Sequence, residues 1–370
     1  MSRKGPLLES AGLPEPLPER SPEPPPDAQR GPAAELEILD DRIAAGLLPA
    51  RPVRGHKGTF GRLLVVAGSL DYAGAALLVC TAAGRAGAGL VSLAVPESLQ
   101  PLFAAKVVEA TTMALPEDDV EEVEPEDALA RLLDDEHDAL VIGPGLRPGL
   151  ASSALILGLL AVPAAMGPAP AVVDAEALRA LAAVDDWWAS IGRACVLTPH
   201  VGEFVRLRSA SGIPTTSDGD LNADDDARAT AARDAAQRWR QVVVLKGART
   251  IVAAPDGRAA RAPFENPALA TGGTGDVLSG TIGALLAQGL PPYDAARLGV
   301  YLHGTAGEVL RERLGDAGLL AGDLPLEIAF ARRRLAVLAR QRSGAARLGF
   351  GARGGGPAGR AADPDPSVGR

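Results

Sequence analysis

Aromatic residues make up only 3% of this 370-residue chain, which also holds just two cysteines and four histidines. Both cysteines, Cys80 and Cys195, lie inside apolar runs, which excludes a disulfide framework and makes a reducing compartment the default. The histidines (His56, His137, His200 and His303) are scattered without metal-ligand spacing, so no metal ligand is assigned. Basic residues are outnumbered, 37 against 46 acidic, for a net charge of −9. With no basic stripe and no aromatic platform, nucleic acid is not an expected partner. No apolar run reaches the roughly 18 residues of a membrane span, and the first residues lack the apolar core of a signal peptide. The chain reads as cytoplasmic, with no membrane partner.

What is abundant is small and apolar. Hydrophobic residues make up 47% and glycine contributes 43 positions, enough for a sizeable core of closely packed elements. Residues 1–34 are rich in Pro, Glu and Arg and cannot bury enough apolar surface to order themselves, so a disordered tail is expected there. Residues 342–370 are rich in Gly, Arg and Pro and read the same way. One folded body is expected at residues 35–341, without internal repeats.

Within that body, short apolar runs alternate with helical patterns. Strands are expected at residues 62–68, 90–96, 139–143, 171–175, 195–199 and 242–246. Helices are expected at 35–48, 75–88, from 151, at 223–240, and repeatedly after residue 276. Residues 250–254 and 258–262 form a candidate hairpin about Asp256-Gly257, and the Asp-rich stretch 218–226 reads as a solvated loop. Strands apolar on both faces and alternating with helices argue for an α/β fold with a mostly parallel sheet covered on both sides. Ligands of such sheets lie beyond the carboxyl ends of the strands. Gly68-Ser69, Gly143-Pro-Gly145, Asp174, Thr198-Pro-His200 and Lys246-Gly-Ala-Arg-Thr250 each follow a strand and outline one site.

The chain is organised around Asn266-Pro-Ala-Leu-Ala-Thr-Gly-Gly-Thr-Gly-Asp276 and the apolar run after it. Glycines before a helix leave backbone N–H groups open to phosphate oxygens. Asp276 is odd in a purely anion-binding loop, but fits if it takes a proton from a hydroxyl that attacks phosphorus. A plain helix N-cap is the bland alternative. Lys246-Gly247-Ala248-Arg249-Thr250 reads either as a turn holding nucleotide phosphates or ribose, or as an ordinary β-turn. Gly143-Pro-Gly145 permits close ligand approach, yet such turns are common after strands. His200 is placed for binding, Glu203 for a hydrated Mg2+ or, preferably, for starting a helix. His303 reads as a core histidine, and Gly84, Gly87 and Gly89 as packing glycines rather than a dinucleotide motif.

Together these segments resemble the ADP-dependent NAD(P)H-hydrate dehydratases of the ribokinase-like superfamily. The resemblance is carried by His56-Lys-Gly-Thr-Phe-Gly61, Ile142-Gly-Pro-Gly-Leu146, Val173-Asp-Ala175, Leu197-Thr-Pro-His-Val-Gly-Glu-Phe204, Val244-Leu-Lys-Gly-Ala-Arg-Thr250, Ala270-Thr-Gly-Gly-Thr-Gly-Asp-Val-Leu-Ser-Gly280 and Tyr301-Leu-His-Gly304. It spans the folded body and implies a ribokinase-like three-layer α/β/α sandwich. It implies repair of the (6S)-hydrates of NADH and NADPH, with ADP as phosphate donor and AMP and phosphate as products. Ala75, Gly145, His200 and Asp276 would contact the hydrated dinucleotide, and Lys246, Gly247, Ala248, Arg249, Thr250 and Gly275 the adenine nucleotide. Asp276 would be the catalytic base, and the amides of Gly273, Thr274 and Gly275 would form the anion hole. The resemblance also implies Mg2+ bridging the phosphates, a homotetramer, and cooperation with a separate epimerase, because residues 1–35 are too short and proline-rich for that domain. Val201 stands where the family often has proline. A ribokinase-like kinase of a small alcohol such as hydroxymethylpyrimidine remains the rival, and a nucleotide-sensing protein without catalysis a second one.

Overall fold

Uninterrupted runs of valine and leucine fold as short strands that are buried on both faces. A computed structural model describes residues 35–213 and 218–351. Its strands are β1 (Glu37–Ile38), β2 (Arg62–Val66), β3 (Leu90–Pro96), β4 (Thr111–Leu115), β5 (Glu117–Asp119), β6 (Glu122–Val123), β7 (Ala139–Ile142), β8 (Ala171–Val173), β9 (Cys195–Leu197), β10 (Val242–Leu245), β11 (Ile251–Ala253) and β12 (Ala259–Arg261). Ten of them form one sheet in the order β1-β12-β11-β10-β9-β8-β7-β2-β3-β4, and β5 pairs with β6 in a small hairpin. Only the pairings of β11 with β10 and β12 are antiparallel within the large sheet.

Side chains alternate between two helix layers along each strand, as the two-residue period requires. Leu63, Val65, Val141, Val172 and Val244 pack with residues of helices Ala73–Ala86, Thr274–Ala287 and Pro292–Leu314. Leu64, Val66, Ile142, Val173 and Leu245 pack with the opposite layer, which includes helices Leu150–Leu160, Val201–Ala210 and Asp225–Trp239. Helix Thr274–Ala287 lies deepest, with every residue from Val277 to Ala287 buried. It can lie there because a Cβ at Gly280 would stand 2.3 Å from the Val79 carbonyl oxygen. Helix Ala73–Ala86 therefore approaches it backbone to backbone.

The register sets the site. Val66 pairs with Ile142, Ile142 with Val173, and Val173 with Leu197, so four strands end at one level. After β2 the chain crosses to β3 on one side, whereas after β7 it crosses to β8 on the other. The resulting switch point lies between β2 and β7, where the carboxyl ends leave a crevice.

Some expectations are corrected. Residues 35–48 are not one helix: β1 pairs with β12, and helix Asp41–Leu47 starts only where the Asp40 carboxylate accepts from Ile43 N–H (2.7 Å). The Asp-rich stretch is not a loop but helix Asp218–Ala223 followed by Asp224, which caps helix Asp225–Trp239. Acidic residues favour helix starts through the positive end of the backbone dipole. The last helix, Leu324–Gly351, continues past residue 341, the boundary drawn above, because Ala, Arg and Leu persist there as good helix formers. The expected tail at residues 1–34, and residues 352–370 of the other, lie outside the described residues. Edge strand β4 and the β5–β6 hairpin were not anticipated. Among the described residues no helix is long and apolar enough to cross a membrane.

Candidate active site

Gly273 adopts φ +91°, a left-handed conformation that glycine reaches without strain, and turns the chain into helix Thr274–Ala287. The Thr274 hydroxyl closes this turn onto the carbonyls of Leu269 (2.8 Å) and Thr271 (2.9 Å). The Thr274 N–H is committed to Thr271 O at 3.3 Å, and Val277 N–H makes the bond back to Gly273 O at 3.2 Å. That leaves the Gly275 and Asp276 amides as the donors the first helical turn offers to an anion.

Asp174, at the end of β8, is almost fully buried and ties three elements together. Its carboxylate accepts from Lys246 Nζ (2.8 Å), Ser279 Oγ (2.7 Å) and Ala175 N–H (2.9 Å). Lys246 ends β10, and its own N–H donates to Pro199 O (2.9 Å), joining it to the β9 end. Burial alone would lower the Lys246 pKa, but the Asp174, Glu203 and Asp276 carboxylates outweigh it and raise it above the usual lysine value. Lys246 therefore carries its charge beside Gly275, where a Cβ would lie 3.4 Å from Nζ.

Asp276 sits in the first turn of the same helix. Burial and the Asp174 charge push its pKa up to about 6, against a smaller opposing pull from Lys246. A carboxylate so tuned is ionised near neutrality yet basic enough to accept a proton. Glu203 is likewise raised, by burial first and then by Asp174, with Lys246 opposing.

His200 caps helix Val201–Ala210. Its Nδ1 accepts from Gly202 N–H (3.1 Å), while the Glu203 carboxylate accepts from His200 N–H (2.9 Å). Nδ1 is thus an acceptor, and Nε2 lies 3.5 Å from the Glu203 carboxylate. Glu203 starts the helix, as preferred from the sequence, and it also contributes to the field around Lys246.

The two sets of residues expected to bind different ligands share this edge. Ala75 opens helix Ala73–Ala86 beside Gly145, where a Cβ would stand 2.8 Å from that of Ala75. Pro144 O accepts from Gly68 N–H (2.9 Å), closing β2 against β7. Leu78, from the same helix, abuts Gly273. On the other side, Lys246, Gly247, Ala248, Thr250, Thr274 and Gly275 line a cavity of about 550 Å³ with apolar walls from Phe264, Leu269 and Val300. That volume suits a nucleotide-sized ligand. Arg249 is not in this lining; its side chain pairs with Asp225 (3.1 Å) and Glu265.

Sequence reasoning missed several members. Ser279 lies three residues after Asp276, hence on the same helix face, but reads as part of an apolar run. His303 was read as a core histidine, and it is buried. Its Nε2 also meets Thr274 O at 3.0 Å, and it lines the cavity. Burial lowers its pKa to about 4, so the ring is neutral and Nε2–H donates to that carbonyl. Among the described residues no cluster of three or more metal-ligating side chains occurs.

A sequence profile of the NAD(P)H-hydrate dehydratase family matches residues 63–328, which take in the sheet from β2 to β12 and every site residue named in this subsection but not edge strand β1. The chain belongs to that family. It is 44% identical over 279 residues to a bifunctional NAD(P)H-hydrate repair enzyme of Moorella thermoacetica, covering 75% of this chain and 50% of that protein. It is 37% identical to an ADP-dependent (S)-NAD(P)H-hydrate dehydratase of Neisseria meningitidis, covering 77% of this chain and 90% of the relative. The chain thus spans about half the length of the bifunctional relatives and most of the length of the shorter one. An ADP/ATP-dependent NAD(P)H-hydrate dehydratase of Bacillus subtilis, crystallised with ATP and Mg2+, superimposes with a TM-score of 0.67 at 31% identity, covering 82% of this chain and all of that one. The layered fold is the ribokinase-like one expected from the sequence.

Proposed function

We propose that this dehydratase-family chain restores NADH and NADPH from their (6S)-hydrates, using ADP as phosphate donor. The observation that carries the reading is Asp276, a carboxylate with a pKa of about 6 at the anion-binding turn of a buried helix. Asp276 takes the proton of the C6 hydroxyl as that oxygen bonds to the β-phosphorus of ADP, and the bond from that phosphorus to AMP breaks. Lys246 and the Gly275 and Asp276 amides stabilise charge on the transferred group; Gly273 and Thr274 shape the turn that presents them. The C6–O bond then breaks, assisted by the ring nitrogen lone pair, and a proton leaves C5. AMP, phosphate and the dihydronicotinamide are the products.

Ala75, Gly145 and His200 form the dinucleotide side of the site, and Lys246 to Thr250 with Gly275 the nucleotide side. Mg2+ bound chiefly by phosphate oxygens and water needs only one or two protein carboxylates. Glu203, beside Lys246 and Asp174, is the carboxylate that would hold it through water; burial, and after it the Asp174 charge, hold its carboxyl above the usual range, and a bound cation would offset the second of these. When bound, the ion would neutralise charge on the donor phosphates. A cytoplasmic location, a homotetramer and a separate epimerase partner complete the proposal.

The test is recovery of NADH absorbance from hydrated NADH with Mg2+ and either ADP or ATP. Recovery with ADP establishes the reaction and its donor. No recovery with either nucleotide, while ADP still binds, would sink it in favour of small-alcohol phosphorylation.

A further inference from the structure

We infer that Arg228 is a positioning residue for the adenine nucleotide: it clamps the turn at residues 246–250 from behind and places a surplus positive charge beneath it. The inference rests on the nucleotide reading of that turn. Arg228 lies in the first turns of helix Asp225–Trp239 and is only 2% exposed. One terminal nitrogen of its guanidinium donates to Ala248 O and the other to Leu245 O, the latter at 3.1 Å. A single side chain therefore holds the carbonyls on both sides of Lys246 and Gly247. Gly247, at φ +150°, lies flat against it, and a Cβ there would meet the guanidinium nitrogen at 2.7 Å.

The charge balance points to a ligand rather than to stability. Asp225 stands 3.8 Å from Arg228, but the same carboxylate also pairs with Arg249 (3.1 Å) and Arg261 (3.5 Å). Glu265 adds one more negative charge, on Arg249. Among the described residues, three guanidiniums thus face two carboxylates. Arg228 Nε is buried without a hydrogen-bond partner among the described residues. An apolar side chain of similar size often serves a fold as well as such a buried cation, or better. Beneath a turn that receives phosphates, the surplus charge gains a counter-ion from the ligand, and the clamped carbonyls keep the turn open to it.

The test uses the full chain with Arg228→Met, which removes clamp and charge, and Arg228→Lys, which keeps the charge. ADP affinity is read by calorimetry, and KM for ADP, KM for hydrated NADH and kcat by steady-state assay. For Arg228→Met, ADP binding and its KM should weaken about tenfold or more, with kcat and KM for hydrated NADH changed less than about twofold; Arg228→Lys should fall between. Folded variants that bind ADP as wild type does would overturn the inference, as would losses confined to kcat. If Arg228→Met fails to fold, Arg228→Lys alone decides by the same criteria. Wild-type protein that does not bind ADP would instead overturn the nucleotide reading of the turn.

Discussion

Replacing Asp276 by Asn should make the protein more stable while removing its turnover. The folded carboxyl has a pKa of about 6 against an ordinary value of 3.8, because burial and Asp174 oppose its charge. About two pKa units correspond to roughly 3 kcal/mol between the protonation states. The sign follows from linkage. Below about pH 3.8 the group is protonated in both states and carries no penalty; the penalty grows between about 3.8 and 6 and is complete above about 6. Asn, nearly isosteric and uncharged, escapes it. Urea unfolding of the two proteins should therefore differ by about 2–3 kcal/mol near pH 8, but by only about 1 kcal/mol near pH 4.5. Turnover should drop by about 10²–10⁴-fold with ADP binding retained. A variant no more stable than wild type at the higher pH, or a gain independent of pH, would refute the electrostatic account of this carboxylate.

If ionised Asp276 is the base, kcat/KM should fall about tenfold per pH unit below about pH 6 and level off above it. Asp174→Asn should move that limb to lower pH by removing the second cause of the shift; an unmoved limb would separate the two residues. His303→Phe removes the side-chain donor to the Thr274 carbonyl, so stability should drop by about 1 kcal/mol and activity with it. No His303 limb should appear in the neutral pH profile, since the ring titrates only near pH 4. Gly280→Ala forces a methyl against the Val79 carbonyl and should cost about 2–4 kcal/mol, read as a lowered Tm.

How much of this was legible in the sequence depends on the reach of each signal. The central strands declared themselves as unbroken apolar runs, and the crossovers by alternation, so the parallel sheet and its ligand edge could be inferred. The edge could not. Strand β4 is only half-buried and mixes Thr with Met and Ala, and the β5–β6 hairpin is acidic, so neither carries an apolar period. The Asp-rich stretch misled because acidic residues mark helix starts as well as solvated loops. Within the site, Asp276 and Lys246 stood out as charges beside glycines. Asp174 reads from the sequence only as a strand-end residue; its bonds to Ser279 and Lys246, 105 and 72 positions away, and those of Arg228 to carbonyls 17 and 20 positions away, are encoded by no local pattern.

The depth of helix Thr274–Ala287 has a consequence for how such a site can diversify. The carboxylate proposed as proton acceptor and the amides proposed to hold the anion ride on the most buried helix, wedged between the sheet and two helices. The groups expected to meet the dinucleotide come from strand ends and helix starts around β2 and β7, and those for the donor from the β10–β11 turn. Drift in those rims can retune which molecule enters, or which donor is preferred, without disturbing the chemistry. One buried engine with two more exposed mouths is what this architecture makes available to selection.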